Sequence, residues 1–320
     1  MTPLSAGSVA PGYTALRHGA AWIDLPGRAK LAVRGPDRAR LLHALTTNDI
    51  GSLQPGQGCY TFFLNAQGKV LADATIFCLP NQLLVDAEPE AAATLRDHID
   101  RYLIADDAAV LDLGADLATL SVEGPATAPV LAALGLEAAP LDYAIQEWRH
   151  GFAADASTTG QPGRLLFLPT HVRPHVIEEL ARAGAVPTTA EDARTVRIEN
   201  GIPRFGEEIT SRFLAPETGR NHAIHPRKGC YLGQEIVERV RSRGFLARLL
   251  MPLLFDSPEP PAPGSRLFLG DQRAAELMSA VYSPHLQTAV GMAYVRLDAA
   301  KPGTVLSCGP GGATARIVES

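Results

Sequence analysis

One segment of this chain is written twice, as AKLAVRGPDRARLLHAL at 29–45 and as ATLSVEGPATAPVLAAL at 118–134. The two align without a gap and share Leu, Val, Gly-Pro and a closing Ala-Leu. Leu31 and Val33, like Leu120 and Val122, alternate as a strand with one buried face does, and the Gly-Pro pair then turns the chain. Proline at the first position of a helix loses no needed N–H, so each copy predicts a strand, a turn and a helix. A duplicated α/β unit constrains the fold more than any single motif does.

A third unit without the Gly-Pro turn runs from GRLLFLPT into RPHVIEELARAG, with Ile177, Leu180 and Ala181 on one helical face and Gly184 as a C-cap. Between the first two units, CYTFFLNAQGKVLADATIFCL places two β-rich runs around Asn65-Ala-Gln-Gly68, which predicts a hairpin. The strand QLLVDA and the helix EPEAAATLRDHIDRYL follow. After Gly244 the helical signals stop, and short β-rich runs separated by Pro and Gly clusters predict a small barrel or sandwich. The expected division is therefore 1–244 and 245–320, within the two or three domains that 320 residues suggest.

A net charge of −5 provides no global field for nucleic acid or anionic lipid, so direct nucleic-acid binding is not expected. No window approaches the roughly 18 consecutive apolar residues of a membrane span, and no signal-like stretch opens the chain. Cys59, Cys78, Cys230 and Cys308 form no C-x-x-C pair. A reducing cytoplasmic setting is the expectation, or the mitochondrial matrix if the source is eukaryotic.

Two stretches carry residues that a core does not need. In TVRIENGIPRFGEEI, Val196 and Ile198 alternate with Arg197 and Glu199, so a half-buried strand would present Arg197 and Glu199 on its other face. Glu199 at its end is able to accept a pair of N–H donors, as an aminopyrimidine-like ring offers. An exposed Arg–Glu surface pair accounts for the same spacing. In RKGCYLGQEIVERVRSRG, Gly229 and Gly233 bracket Cys230 and Tyr231 ahead of a helix opening at Gln234. Lys228 and that helix N-terminus would both lower a thiol pKa. A buried, inert cysteine is the alternative, and a metal site with His222 and His225 lacks a second cysteine or a carboxylate at metal spacing. Glu235 and Arg239 are spaced for a helical ion pair. Arg239, Arg241, Arg243 and Arg248 form a local basic patch, either a solvated face or a surface for an anionic ligand tail or a phosphate backbone.

KGCYLGQEIVERVRSRG resembles the signature of the YgfZ family of folate-binding proteins, and RIENGIPRFGEEI resembles the segment that precedes it. Both are similar, more loosely, to the aminomethyltransferase (T-protein) of the glycine cleavage system. The resemblance implies an α+β, three-lobed aminomethyltransferase-like fold around a central tetrahydrofolate channel, with a C-terminal all-β barrel. It implies a pteridine contact from Glu199, with Arg197, Tyr231, Gly233, Gln234, Glu235 and Arg239 as further binding candidates. Cys230, Lys228 and Asp73 are the candidates for chemistry. It also implies support of four-iron iron-sulfur enzymes, with client or assembly proteins as partners and effects on tRNA modification downstream. One departure stands out: the T-protein hairpin carries paired aspartates, whereas GKVLADATIF has Ala72 before Asp73. That loss argues against glycine cleavage itself and leaves one-carbon transfer through Asp73 as the alternative function.

Overall fold

In a computed structural model describing residues 9–137, 141–244, 246–309 and 312–319, the duplicated segment builds the same unit twice, once in each of two sheets. In chain order, α1 (Pro11–His18) leads to β1 (Ala21–Asp24) and β2 (Ala29–Arg34), then α2 (Arg38–Leu45). The hairpin β3 (Gly58–Leu64) and β4 (Val70–Leu79) is followed by β5 (Gln82–Ala87), α3 (Ala92–Tyr102) and β6 (Ala109–Asp112). The second copy gives β7 (Leu117–Glu123) and α4 (Thr127–Ala133). Beyond it lie β8 (Ile145–Trp148), β9 (Gly151–Ala154), β10 (Gly163–Pro169), α5 (Arg173–Arg182), β11 (Val186–Thr188), α6 (Ala190–Glu199) and α7 (Gln234–Arg243). The chain ends in β12 (Arg248–Phe255), β13 (Arg266–Leu269), β14 (Gln272–Ser283), β15 (Thr288–Arg296), β16 (Val305–Ser307) and β17 (Thr314–Ile317), which close an antiparallel barrel. Phe245, at the expected division, lies outside the described residues, as does the Arg243 side chain.

The five-stranded sheet runs β3-β4-β5-β2-β6 and the six-stranded one β11-β1-β7-β10-β9-β8. Helices α2 and α3 cover the outer face of the first, packing Leu42, Leu95 and Ile99 on Leu31, Val33, Ile76 and Val85. Helices α4 and α5 cover the second, where Val130, Val176 and Leu180 meet Leu120, Val122 and Leu166. The inner faces meet each other: Phe77, Leu79 and Leu84 pack on Ile145, Leu165 and Phe167, with the Phe77 and Phe167 rings edge to face at 5.7 Å. The duplicated strands are therefore buried on both faces rather than one.

Several local expectations change. In both copies the proline precedes the helix instead of opening it, since α2 starts at Arg38 and α4 at Thr127. What the pair supplies is the glycine: Gly35 and Gly124 have φ of +100° and +128°, and a Cβ there would stand 2.3 and 2.4 Å from the carbonyl oxygens of Asp107 and Gly19. On α5 the inward face is Val176 and Leu180, whereas Ala181 is exposed. The largest change is at 195–199, which is helical. Thr189 caps α6 by accepting the Asp192 amide, and Glu191 and Asp192 favour its positive N-terminal end. Residues two apart on a helix lie about 200° around it, so α6 is gripped from opposite sides. Val196 packs against Leu16 and Ile23, while Ile198 packs against Phe213, Leu250 and Met292 at the barrel. That sandwich reproduces the alternation of a strand.

Candidate functional site

Strand β4 alternates as its sequence requires. Ala72, Ala74 and Ile76 point into the core under α2 and α3, while Asp73 sits on the opposite face with Phe77 and Leu79. Beyond the phenylalanines the two sheets diverge and leave a cavity of about 460 Å³, walled by β1, β4, β5, the 156–158 loop, α6 and the turn after it. Asp73 lines this cavity. The missing acid at position 72 thus faces the core and would not have reached the cavity, so its loss does not alter the cavity's chemistry.

The β3–β4 register pairs Phe62 with Asp73 and Tyr60 with Thr75, so Tyr60 is the diagonal neighbour of Asp73 on one face. Its hydroxyl donates to Asp73 Oδ2 at 2.6 Å. Burial pushes the Asp73 carboxyl up to about 6; the Tyr60 hydroxyl opposes this, Glu88 reinforces it, and Arg28 and Arg220 oppose it. A carboxyl poised near neutrality, in a cavity, beside an ordered hydroxyl, is suited to giving and taking a proton. Tyr143 and His222 extend the aromatic wall: the two side chains meet at 3.4 Å, and His222 lies 5.5 Å from the Tyr60 ring. Burial holds the His222 pKa below its ordinary value.

The opposite wall is set by ion pairs. Arg197 donates to the Ile202 carbonyl at 2.6 Å and to Glu208 at 2.8 Å, and it also pairs with Glu207, which tethers the turn after α6 to the helix. Arg194 shares Glu207. On the β5 side, Arg28 grips Asp86 through two bonds of 2.9 and 2.6 Å and reaches Glu88, which Arg204 also holds at 2.8 Å.

Of the residues singled out from sequence, Asp73 and Arg197 are brought to this cavity. Glu199 is not among its lining residues: its carboxylate accepts the Tyr13 hydroxyl at 2.6 Å and the Ser283 hydroxyl at 2.5 Å, joining α1, α6 and the barrel. The Cys230 loop stands elsewhere, in a shallow depression with Arg40, Ala44, Leu45, Tyr102 and Asp106 that shares no lining residue with the cavity. Cys230 is exposed, so it is not a buried hydrophobe. Lys228 donates to the carbonyls of His43, Thr46 and Asn48 at 2.6, 2.6 and 2.7 Å, and so its ammonium closes the C-terminal end of α2. Burial pushes its pKa down to about 8. Tyr231 packs beneath that ammonium, and its amide donates to Gln234. Gly233, at φ +81°, passes the Asn65 carbonyl, where a Cβ would stand 2.5 Å from the oxygen. Glu235 and Arg239 pair at 2.7 Å on the exposed face of α7. Arg241 and Arg248 are also paired, with Glu238 and Glu217.

Sequence reasoning missed Tyr60, Tyr143, Arg220 and the Arg28 network, because each is a site candidate only through what stands across the cavity. It also missed His150, His175 and Glu179, whose ligating atoms lie within 4.8 Å of one another at the surface, where Arg149 also holds Glu179.

Residues 5–228 match the GCVT N-terminal domain, and residues 248–320 match the glycine cleavage T-protein C-terminal barrel domain. The chain belongs to the glycine cleavage T-protein family. It is 28% identical to an aminomethyltransferase of Streptomyces coelicolor over 94% of this chain and 85% of that protein. It is 27% identical to an aminomethyltransferase of Rubrobacter xylanophilus, over 92% and 80%. The glycine cleavage system aminomethyltransferase T from Bartonella henselae superposes with a TM-score of 0.88 at 22% identity, covering 97% of this chain and 87% of that one. The aminomethyltransferase-like fold with its closed barrel is thus the fold of this T-protein family member. Among the described residues no helix is long and apolar enough to cross a membrane.

Proposed function

We propose that this T-protein family member binds tetrahydrofolate in the cavity between its sheets and acts there in one-carbon transfer, with Asp73 as the acid–base group. The observation that carries this is the orientation of Asp73, which faces the cavity while Ala72 faces the core. The cavity suits the ligand: about 460 Å³ falls within the ~300–1,000 Å³ of small-molecule sites. The Tyr60 and Tyr143 side chains offer a wall for a flat ring, and the Asp73 and Glu207 carboxylates offer acceptors for ring N–H groups. When bound, tetrahydrofolate supplies the amine nitrogens that carry a one-carbon unit. Asp73 stabilises positive charge at a nitrogen when ionised and returns a proton when neutral, and Tyr60 holds its carboxyl in place. The Arg197-tethered turn closes the wall and limits water.

The test is calorimetric titration of the full chain with tetrahydrofolate, followed by turnover with aminomethyl donors. Wild type is expected to bind and to turn over. Asp73→Asn is expected to bind comparably and lose about 10²–10⁴-fold in rate. Failure of the wild type to bind would remove this reading. Binding without turnover on any donor would remove the transferase part.

A second reading, support of iron-sulfur enzymes in the manner of the YgfZ family, is favoured by the exposed Cys230 loop. Lying outside the cavity, its thiol is reachable by a protein partner while folate is bound. Full restoration of iron-sulfur enzyme activity by Cys230→Ser, in cells lacking the protein, would overturn it.

A further inference from the structure

Among the described residues the cavity wall holds one arginine that no carboxylate pairs with directly, although its charge is felt by Asp73 across the Tyr60 ring. Arg28, Arg194, Arg197 and Arg204 are each paired with a carboxylate, and Asp24 is paired with Arg173. Arg220 is different. Among the described residues its guanidinium has no hydrogen bond or ion pair, and its Nε is buried without a partner. It rests on the Tyr60 ring, 5.6 Å from the centroid. Leaving a partly buried cation unpaired is costly, and the contact with the ring offsets only part of that cost. The hydroxyl of the same ring is bound to Asp73 at 2.6 Å. One side chain therefore carries an acid–base carboxyl at its edge and a fixed, unsatisfied cation on its face, and both line the cavity.

Resting on the reading of this cavity as a one-carbon transfer site, we propose that its second substrate is a small amino-carboxylate, an amino acid or close derivative. Arg220 holds the carboxylate and Asp73 faces the amine. A planar guanidinium satisfies a carboxylate through two parallel hydrogen bonds, which also fixes where the amine falls. An aminomethyl group carried on a neutral protein-bound arm presents no anion to Arg220. The carboxylates of folate itself are separated from its one-carbon-bearing nitrogens by an aminobenzoyl ring. A folate placed with those nitrogens at Asp73 would carry them past an arginine lying on the very ring that Asp73 binds.

The experiment uses the full chain and ligand-observed NMR titrations with two matched series: amino-carboxylates from glycine to 4-aminobutyrate, and alkylamines of the same lengths. Each is run with and without tetrahydrofolate, on wild type, Arg220→Met and Arg220→Lys. One amino-carboxylate length is expected to bind wild type about tenfold or more tighter than its amine. Arg220→Met is expected to abolish that preference, and Arg220→Lys to keep part of it. The wild-type comparison stands even if a variant fails to fold. Tetrahydrofolate binding without any preference for amino-carboxylates would overturn the inference and leave the folate reading intact. A preference without tetrahydrofolate binding would do the reverse. If Arg220→Met weakens tetrahydrofolate but not a tetrahydropterin lacking aminobenzoylglutamate, Arg220 serves the folate tail and the inference fails.

Discussion

At the residue scale the decisive pair is Ala72 and Asp73, neighbours in sequence that face opposite environments. Because burial pushes the folded-state Asp73 pKa up to about 6, above the ordinary value near about 4, the folded protein binds this proton more tightly than the unfolded chain does. The sign follows: the group costs stability above about pH 6, by roughly 3 kcal/mol, and costs nothing well below about pH 4, where both states are protonated. Asp73→Asn is expected to raise the melting temperature at pH 7.5 and to leave it almost unchanged at pH 4, measured by calorimetry across that range. Ala72→Asp is expected to do the opposite of restoring an active site. It would place an unpaired carboxylate in the core beneath α2 and α3, costing about 3–5 kcal/mol, and denaturant unfolding would show it. A tolerated Ala72→Asp would mean that the face assignment of β4 is wrong.

At the scale of elements, the two glycines of the duplicated units do the same work in different sheets. Each takes a positive φ so that the strand-to-helix turn passes directly over a neighbouring carbonyl. Gly35→Ala and Gly124→Ala are each expected to destabilise the fold by about 2 kcal/mol or more, from backbone strain and displaced carbonyl contacts together. Equal losses in urea midpoints would show that the duplication is structural in both places. Helix α6 shows the limit of periodicity as a guide: Val196 and Ile198 are both buried because the helix has the N-terminal lobe on one side and the barrel on the other.

At the scale of the whole molecule, Glu199 ties the barrel to the rest of the chain. It accepts from Tyr13 on α1 and Ser283 at the end of β14, residues remote from each other in sequence. Glu199→Ala is expected to lower the melting temperature by several degrees, and Tyr13→Phe with Ser283→Ala to be non-additive by about 0.5–3 kcal/mol. Tetrahydrofolate affinity in Glu199→Ala is expected to survive, because the carboxylate is outside the cavity lining. A loss of binding with an unchanged melting temperature would instead make Glu199 a ligand contact, as the family resemblance implies.

What the sequence determined by itself was local or repetitive. The duplicated strand-turn-helix, the Asn65–Gly68 hairpin, the C-terminal strands and the helix after Gly233 all follow from spacing and turn chemistry within a few residues. The motifs around Glu199 and Cys230 were legible as unusual, and of the resemblances they carried, the looser one, to the glycine cleavage T-protein, is the family that the domain matches show. Their surroundings were not legible. Whether Lys228 activates a thiol or closes a helix depends on carbonyls some 180 residues away in sequence, and whether Arg220 is paired depends on which carboxylates the two sheets bring to one wall. A cavity belongs to no segment. It exists where two sheets stop touching, so only the tertiary structure decides which of the many polar side chains face it, which of them are already satisfied, and which remain for a ligand.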